Sequence, residues 1–366
     1  MTPERKFALD LAIDWLIKSI DPDTGGSRAN YSIAFNGPKG WSGPYPETTG
    51  YIIPTFLDLA LYAEEYNSLE PRAITMGEWL LTVQFDDGAF PGNIYKKGKT
   101  NEKSIFNTGQ IMLGLTRLYD HTREQKYLDS ANRAAKWLVS QQAPSGEWQV
   151  YNYVRGFSPS YYSRVSWPIL KVFARNGDDT LKNGALSNLK SIQARQLPNG
   201  FIEGAGFKPG APAVLHTLAY TIRGFLESAL ILNDESLWNT GYLFAEKVFR
   251  TFELKKQLYG TWNSDFTGER WYQCLTGNVQ MAIIWMKIYQ KTGDIRFLNT
   301  ASKAIDAVVD HQVKRSLDGN AVGGIAGSAP VYGRYMFFRY PNWAAKFFSD
   351  AILLESKLLQ QLSTRA

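Results

Sequence analysis

Four side chains able to move a proton stand where long polar loops give way to apolar runs: Glu47, Tyr161, His216 and Tyr272. Glu47 lies in GWSGPYPETTGYIIP, flanked by Trp41, Tyr45 and Tyr51, and Thr48 and Thr49 after it are good N-cap residues. Two readings follow. The carboxylate complements a helix start, or it serves as a general acid or base. His216 and Tyr220 are spaced i, i+4, with Arg223 a turn further, so all three share a helix face; a histidine so placed is either a satisfied core residue or a proton carrier. A tyrosine acts as a base only where nearby cations lower its pKa, which makes Tyr161 and Tyr272 conditional candidates. His121 and His311 fall away from the loops and receive no role.

Around these groups stand residues suited to holding a polyhydroxylated or anionic ligand. Asn107 and Gln110 open the run IFNTGQ, and Gln110 lies too deep for simple capping. Arg164 shares a face with Tyr161, and an arginine in so apolar a helix wants an anionic partner. One dense stretch, GTWNSDFTGERWYQCLTGNVQ, carries Trp262, Arg270 and Gln280, and a later one, GSAPVYGRYMFFRYPNW, carries Tyr332 and Arg339. Trp41 completes the set. Aromatic rings with wet polar edges suit stacking on sugars, and guanidinium forks grip carboxylates at two points. This inventory predicts a cleft for an acidic polysaccharide or oligosaccharide.

The elements that must position these groups repeat. A helix-ending glycine turn recurs at intervals of roughly 60 residues, at Gly25, Gly88, Gly146, Gly200, Gly260 and Gly319. A helical pattern with one wet face precedes each turn, as in YLDSANRAAKWLVSQQ. A more apolar run follows each, as in AVLHTLAYTIRGFLESALIL. Connections after the apolar runs are short and those before them long, so every long loop emerges on one face. The pattern predicts an all-α fold, an (α/α)6 toroid of six helical hairpins in two concentric layers, spanning residues 1–366 as one domain. An open helical solenoid is the alternative. In the toroid every inner helix aims its N-terminus at the long loops, giving a basin that favours anions.

Composition narrows the function classes. A 44% hydrophobic, 14% aromatic, 20% charged chain is globular, and a net charge of +6 with scattered lysines and arginines argues against a nucleic-acid partner. With one cysteine, Cys274, no intramolecular disulfide forms. No apolar run reaches the roughly 20 residues of a membrane span, so the expectation is a soluble, cytoplasmic protein. No HExxH, CxxC, GxGxxG, P-loop or GxSxG pattern occurs, and no metal or cofactor is expected. The oligomeric state is left open.

These features resemble the (α/α)6 carbohydrate-active enzymes: polysaccharide lyases, unsaturated uronyl hydrolases and the helical domain of glucuronyl C5-epimerases. The local likeness is to the epimerase domain, where a Gly-Thr turn precedes an Arg-Trp-aromatic segment and a Thr/Gln-bearing helix; here these are Gly260, Thr261, Arg270, Trp271, Tyr272, Thr276 and Gln280. YPETTG resembles a Glu-Tyr-Pro-Thr-Thr segment of that domain with the acid displaced to Glu47. Trp262 and Asn263 replace the tyrosine and histidine that follow the family's Gly-Thr turn, and its β domain is missing. The resemblance implies an enzyme that abstracts the C5 proton of a uronate, leading to epimerisation or β-elimination. The runner-up is a glycoside hydrolase pairing Glu47 with Asp265, Glu203 or Asp87. A non-catalytic glycan-binding toroid is the third reading.

Overall fold

The computed structural model describes residues 1–33 and 40–364. Among these, six helices form an inner ring: α2 (Pro46–Ala60), α4 (Ile105–Thr122), α6 (Ser163–Asn176), α8 (Leu215–Leu232), α10 (Leu275–Thr292) and α12 (Asn342–Ser363). Six more surround them: α1 (Pro3–Lys18), α3 (Leu69–Val83), α5 (Gln125–Ser140), α7 (Asp179–Gln193), α9 (Glu235–Lys255) and α11 (Ile295–Val309). The outer helices bury one stripe, as α11 buries Phe297, Leu298, Ala301, Ala304, Ile305 and Val308. That spacing faces one side of a helix, and the other side meets water. The inner helices are covered almost all round. No described helix is long and apolar enough to cross a membrane.

Each inner helix packs against the next, and the circle closes where α12 meets α2. Across that joint Thr55 Oγ1 donates to Asp350 Oδ1 at 2.7 Å. Helix α1 takes the outer place beside α12, where Arg5 Nε donates to Glu355 Oε2 at 2.9 Å and Arg5 Nη2 lies 2.8 Å from Asp306 Oδ1 of α11. The solenoid alternative is thereby excluded.

A repeated glutamine binds neighbouring hairpins together. Gln84, Gln142, Gln196 and Gln312 stand at or just beyond outer-helix ends. Each Nε2 donates to the carbonyl of a turn glycine (Gly88, Gly146, Gly200, Gly323) and to a backbone carbonyl of the next outer helix (Ser130, Gly184, Thr240, Ala8), at 2.9 to 3.3 Å. The last of these clips joins the end of α11 to α1, so the seam is built like three of the other five joints. At Gly88 φ is +98°, and a Cβ there would lie 2.5 Å from the carbonyl oxygen of Arg133 in α5, so only glycine lets the turn touch that helix. Two of the turns read from sequence differ. In the sixth hairpin the contact falls on Gly323 rather than Gly319, and Gly260 follows a longer α9 and faces the ring of Tyr272 instead.

Short strands lace the long loops together. β1 (Asn30–Ser32) lies between β2 (Gly40–Trp41) and β8 (Arg339–Pro341), bridging first and last loops with Tyr31 opposite Trp41 and Tyr340. β3 (Ala213–Val214), β4 (Thr261–Trp262) and β5 (Gly268–Glu269) join the fourth loop to the fifth, and β6 (Gln273–Cys274) pairs with β7 (Ser328–Ala329).

Candidate active site

A cavity of about 710 Å³ opens on the long-loop face. Its walls come from the loops and helix starts of hairpins one to four and six. The fifth, the densest in polar residues by sequence, supplies no wall, because its loop is drawn into the β3–β4–β5 sheet.

Glu47 is in the cavity wall, in the first turn of α2, which begins at Pro46 rather than beyond Thr49. Thr48 and Thr49 are therefore not N-caps; their hydroxyls donate back to the carbonyl of Tyr45 at 3.3 and 2.8 Å. Tyr45 is the N-cap by position, yet its side chain gives no cap bond and its hydroxyl donates to Glu47 Oε2 at 2.6 Å. With the Asn107 amide oriented to satisfy its neighbours, its nitrogen donates to the same oxygen at 3.2 Å and its oxygen accepts from the Asn93 backbone at 3.3 Å. Burial pushes the Glu47 carboxyl up to about 7, against the opposing pull of the Tyr45 hydroxyl and the Arg164 charge. At neutral pH Glu47 is thus poised to give or take a proton.

His216 lies in the cavity wall on the first turn of α8. Its Nδ1 is 2.9 Å from Gln280 Oε1 on α10, an arrangement in which Nδ1–H donates and Nε2 keeps its lone pair. Burial drives its pKa down to about 3, with Arg164 adding to the effect and the Gln280 bond opposing it, so the imidazole is neutral. Its ring packs 4.2 Å from that of Tyr220 and 5.3 Å from that of Tyr335, whose hydroxyl accepts from Trp343 Nε1 at 2.9 Å.

Arg164 stands behind this wall, 1% exposed, under the ring of Tyr220 at 4.4 Å. The expected anionic partner is absent among the described residues. Instead Nε donates to Gln110 Oε1 at 2.8 Å while Gln110 Nε2 donates to the Arg164 carbonyl at 3.1 Å, so Gln110 braces the arginine and touches no cavity surface.

Aromatic rings step from the floor to the rim. Tyr161 packs 6.0 Å from Phe207, and Phe207 packs 6.5 Å from Tyr153, which is 75% exposed. Phe207 and Tyr153 were not singled out from sequence; the cluster VYNYVRGF in the third long loop was a usable signal for Tyr153, and Phe207, in the fourth loop, had none.

Of the residues chosen from sequence, Glu47, Asn107, Tyr161 and His216 line one cavity, with Gln280, Gln110 and Arg164 directly behind it. The others stand elsewhere. Trp41 packs on Trp15 and Tyr31 at 4.9 and 5.2 Å. Trp262 is buried, its indole donating to the Tyr259 carbonyl at 3.1 Å. Tyr272 is buried against Gly260, Arg270 is exposed beside Tyr259, Tyr332 is mostly in water, and Arg339 is a β8 residue paired with Ser32. The hydrolase partners do not reach Glu47's cavity either. Asp87 is a turn residue ion-paired with Lys103, Asp265 is exposed and bonded to Thr267, and Glu203 lines a separate cavity of about 210 Å³ with Trp262. Besides Glu47, the only acid in the main wall among the described residues is Glu102, exposed at the rim.

No protein-family model matches the chain, and no curated protein does. Solved structures do. An unsaturated glucuronyl hydrolase specific for heparin superposes with a TM-score of 0.74 at 12% identity, covering 98% of both chains. The cellobiose 2-epimerase from Bacillus thermoamylovorans gives 0.73 at 15% identity, covering 95% of this chain and 98% of that one. A glycoside hydrolase family 76 mannosidase from Bacteroides thetaiotaomicron gives 0.66 at 12% identity, covering 97% and 100%. The chain is an (α/α)6 toroid. Its structural neighbours are carbohydrate-active enzymes of that fold, hydrolases and epimerases among them.

Proposed function

We propose that the protein is an enzyme acting on an oligosaccharide or polysaccharide, and that Glu47 and His216 move a proton at a sugar carbon. The observation that carries this reading is the pairing, in one aromatic-walled cavity, of a carboxyl pushed up to about 7 with a neutral imidazole whose Nε2 is unprotonated. Near pH 7 the Glu47 carboxyl is divided between its two forms and suits either general acid or general base work. The neutral imidazole, the weaker base of the two, takes a proton only if it passes it on at once. C5 abstraction on a uronate, leading to epimerisation or elimination, fits these roles, with Tyr161 and Asn107 positioning the ring. The Arg164 charge beneath the floor favours the negative charge that develops. A second reading is hydrolysis, with Glu47 as acid and His216 orienting water. Its support is that a glucuronyl hydrolase and a mannosidase share the fold, and its weakness is the lack of a second buried acid in the wall.

The test is incubation with a panel of acidic and neutral saccharides in deuterated water, followed by NMR and ultraviolet absorbance. Deuterium at a sugar carbon without cleavage indicates an epimerase, unsaturation a lyase, and a new reducing end alone a hydrolase. Binding without turnover across the panel would overturn the enzymatic reading.

A further inference from the structure

Below the cavity floor the toroid's interior holds more positive than negative charge. Arg164 (α6), Arg223 (α8), Lys287 (α10) and Lys346 (α12) project inward with Lys171 (α6) close by; the carboxylates paired with the first four are Glu227 and Asp350, and Asp120, ion-paired with Arg175, acts on Lys171. Glu227 is 3.2 Å from Arg223 Nε and 3.0 Å from Lys287 Nζ, and Asp350 pairs with Lys346. Arg164 has no ion-pair partner among the described residues. Its Nη1 and that of Arg223 are buried without a hydrogen-bond acceptor. The cations gather round shared rings. Arg164 and Arg223 each lie 5.2 Å from the Trp167 ring, and Arg164 and Lys346 lie 5.5 and 4.5 Å from the Phe347 ring.

An uncompensated buried guanidinium is costly, and like charges around the same rings raise that cost. Ring faces soften it without supplying an acceptor. A water would satisfy the N–H groups but not the charge. Of the carboxyls whose charge reaches Arg164, Glu227 is already shared by Arg223 and Lys287, and Glu47, pushed up to about 7 by burial, is only about half ionised at neutral pH. Tyr220 covers Arg164 on the cavity side, which bars a sugar-sized group and suits a small ion.

We propose that the lumen is a binding site for a resident halide, chloride under ordinary conditions, held by Arg164 Nη1 in the field of Arg223 and Lys346. The site does not depend on which reaction the cavity performs, but it shares Arg164 with the proposed function, because a halide held there offsets part of the charge offered to the substrate.

Bromide replaces chloride as the probe in two measurements. Crystals of the full chain soaked in sodium bromide should show an anomalous peak in contact with Arg164. Melting followed in sodium chloride or bromide against sodium gluconate, at matched ionic strength, should give a saturable upward shift of about 2 °C or more in the halides. Arg164→Gln should abolish the shift. A shift that persists in that variant places the ion elsewhere and overturns the proposal, as does a soaked crystal with no bromide at Arg164. A second crystal soaked in sodium glucuronate that shows the sugar acid on Arg164 would also overturn it, by assigning the arginine to substrate. If Arg164→Gln does not fold, the bromide map decides alone.

Discussion

Replacing Glu47 by glutamine separates a structural acid from a working one. In the folded protein the carboxyl is 7% exposed and titrates near 7, against 4.5 for a carboxyl in water. Because the folded value is the higher one, the wild type is most stable while the group is protonated. It loses stability as the pH climbs from about 4.5 to about 7, then levels off. Each tenfold change in proton affinity is worth about 1.4 kcal/mol, so by pH 8 ionisation has cost about 3 kcal/mol. Glutamine has nothing to ionise, and its carbonyl can still accept from Tyr45. Denaturant unfolding of both proteins from pH 4 to 8 should therefore show Glu47→Gln gaining on the wild type across that interval. Turnover should fall by about 10² to 10⁴ if the group transfers a proton. A stability difference flat with pH would refute the buried-acid reasoning. Intact turnover, whatever the melting behaviour, would refute the catalytic role.

Other expectations are more local. Gln280→Leu removes the acceptor for His216 Nδ1–H, so imidazole ¹⁵N shifts should report a mixed tautomer and kcat should fall on the order of 10² or more with KM little changed. Arg5→Ala leaves Glu355 buried without its charge partner and should destabilise the ring by roughly 3 kcal/mol in denaturant melts. Gly88→Ala sets a Cβ against the Arg133 carbonyl at positive φ and should cost about 1 to 3 kcal/mol by the same measurement. Arg270→Ala and Tyr332→Ala, both outside the cavity, should leave stability within about 0.5 kcal/mol and turnover unchanged.

The architecture was legible because each hairpin repeats two strong signals: a wet-faced helix closed by glycine and an apolar helix entered from a long loop. Glu47 and His216 were legible for a related reason, since a charged or titratable group in the first turn of an apolar inner helix has few bland explanations. What stayed hidden depended on where loops travel. The run around Trp262 and Arg270 looked like a site because its polar and aromatic residues crowd together, yet strand pairing holds it outside the main cavity wall and Trp262 is buried. Trp41 likewise serves as a wedge between Trp15 and Tyr31. Conversely, Tyr45 became important through a single hydroxyl contact two residues away, and Phe207 through a loop that folds over the third hairpin. Neither follows from periodicity. Arg164 was expected to have an anionic partner and to meet substrate, but sequence alone could not tell that it would be buried under Tyr220, braced by Gln110 and outside the cavity wall.

The glutamine clip has a consequence for how the chain can be written. Because Gln312 joins α11 to α1 in the same way that Gln84 joins the third helix to the fifth, the seam between first and last hairpins is held like a joint inside the chain. The start of α1 and the end of α12 both belong to the face of short connections. A circular permutant that links them with a flexible spacer, and opens instead at Arg123–Glu124 between α4 and α5, should regain the same ring and the same cavity. Chain order here is a matter of synthesis, and the ring itself has no beginning.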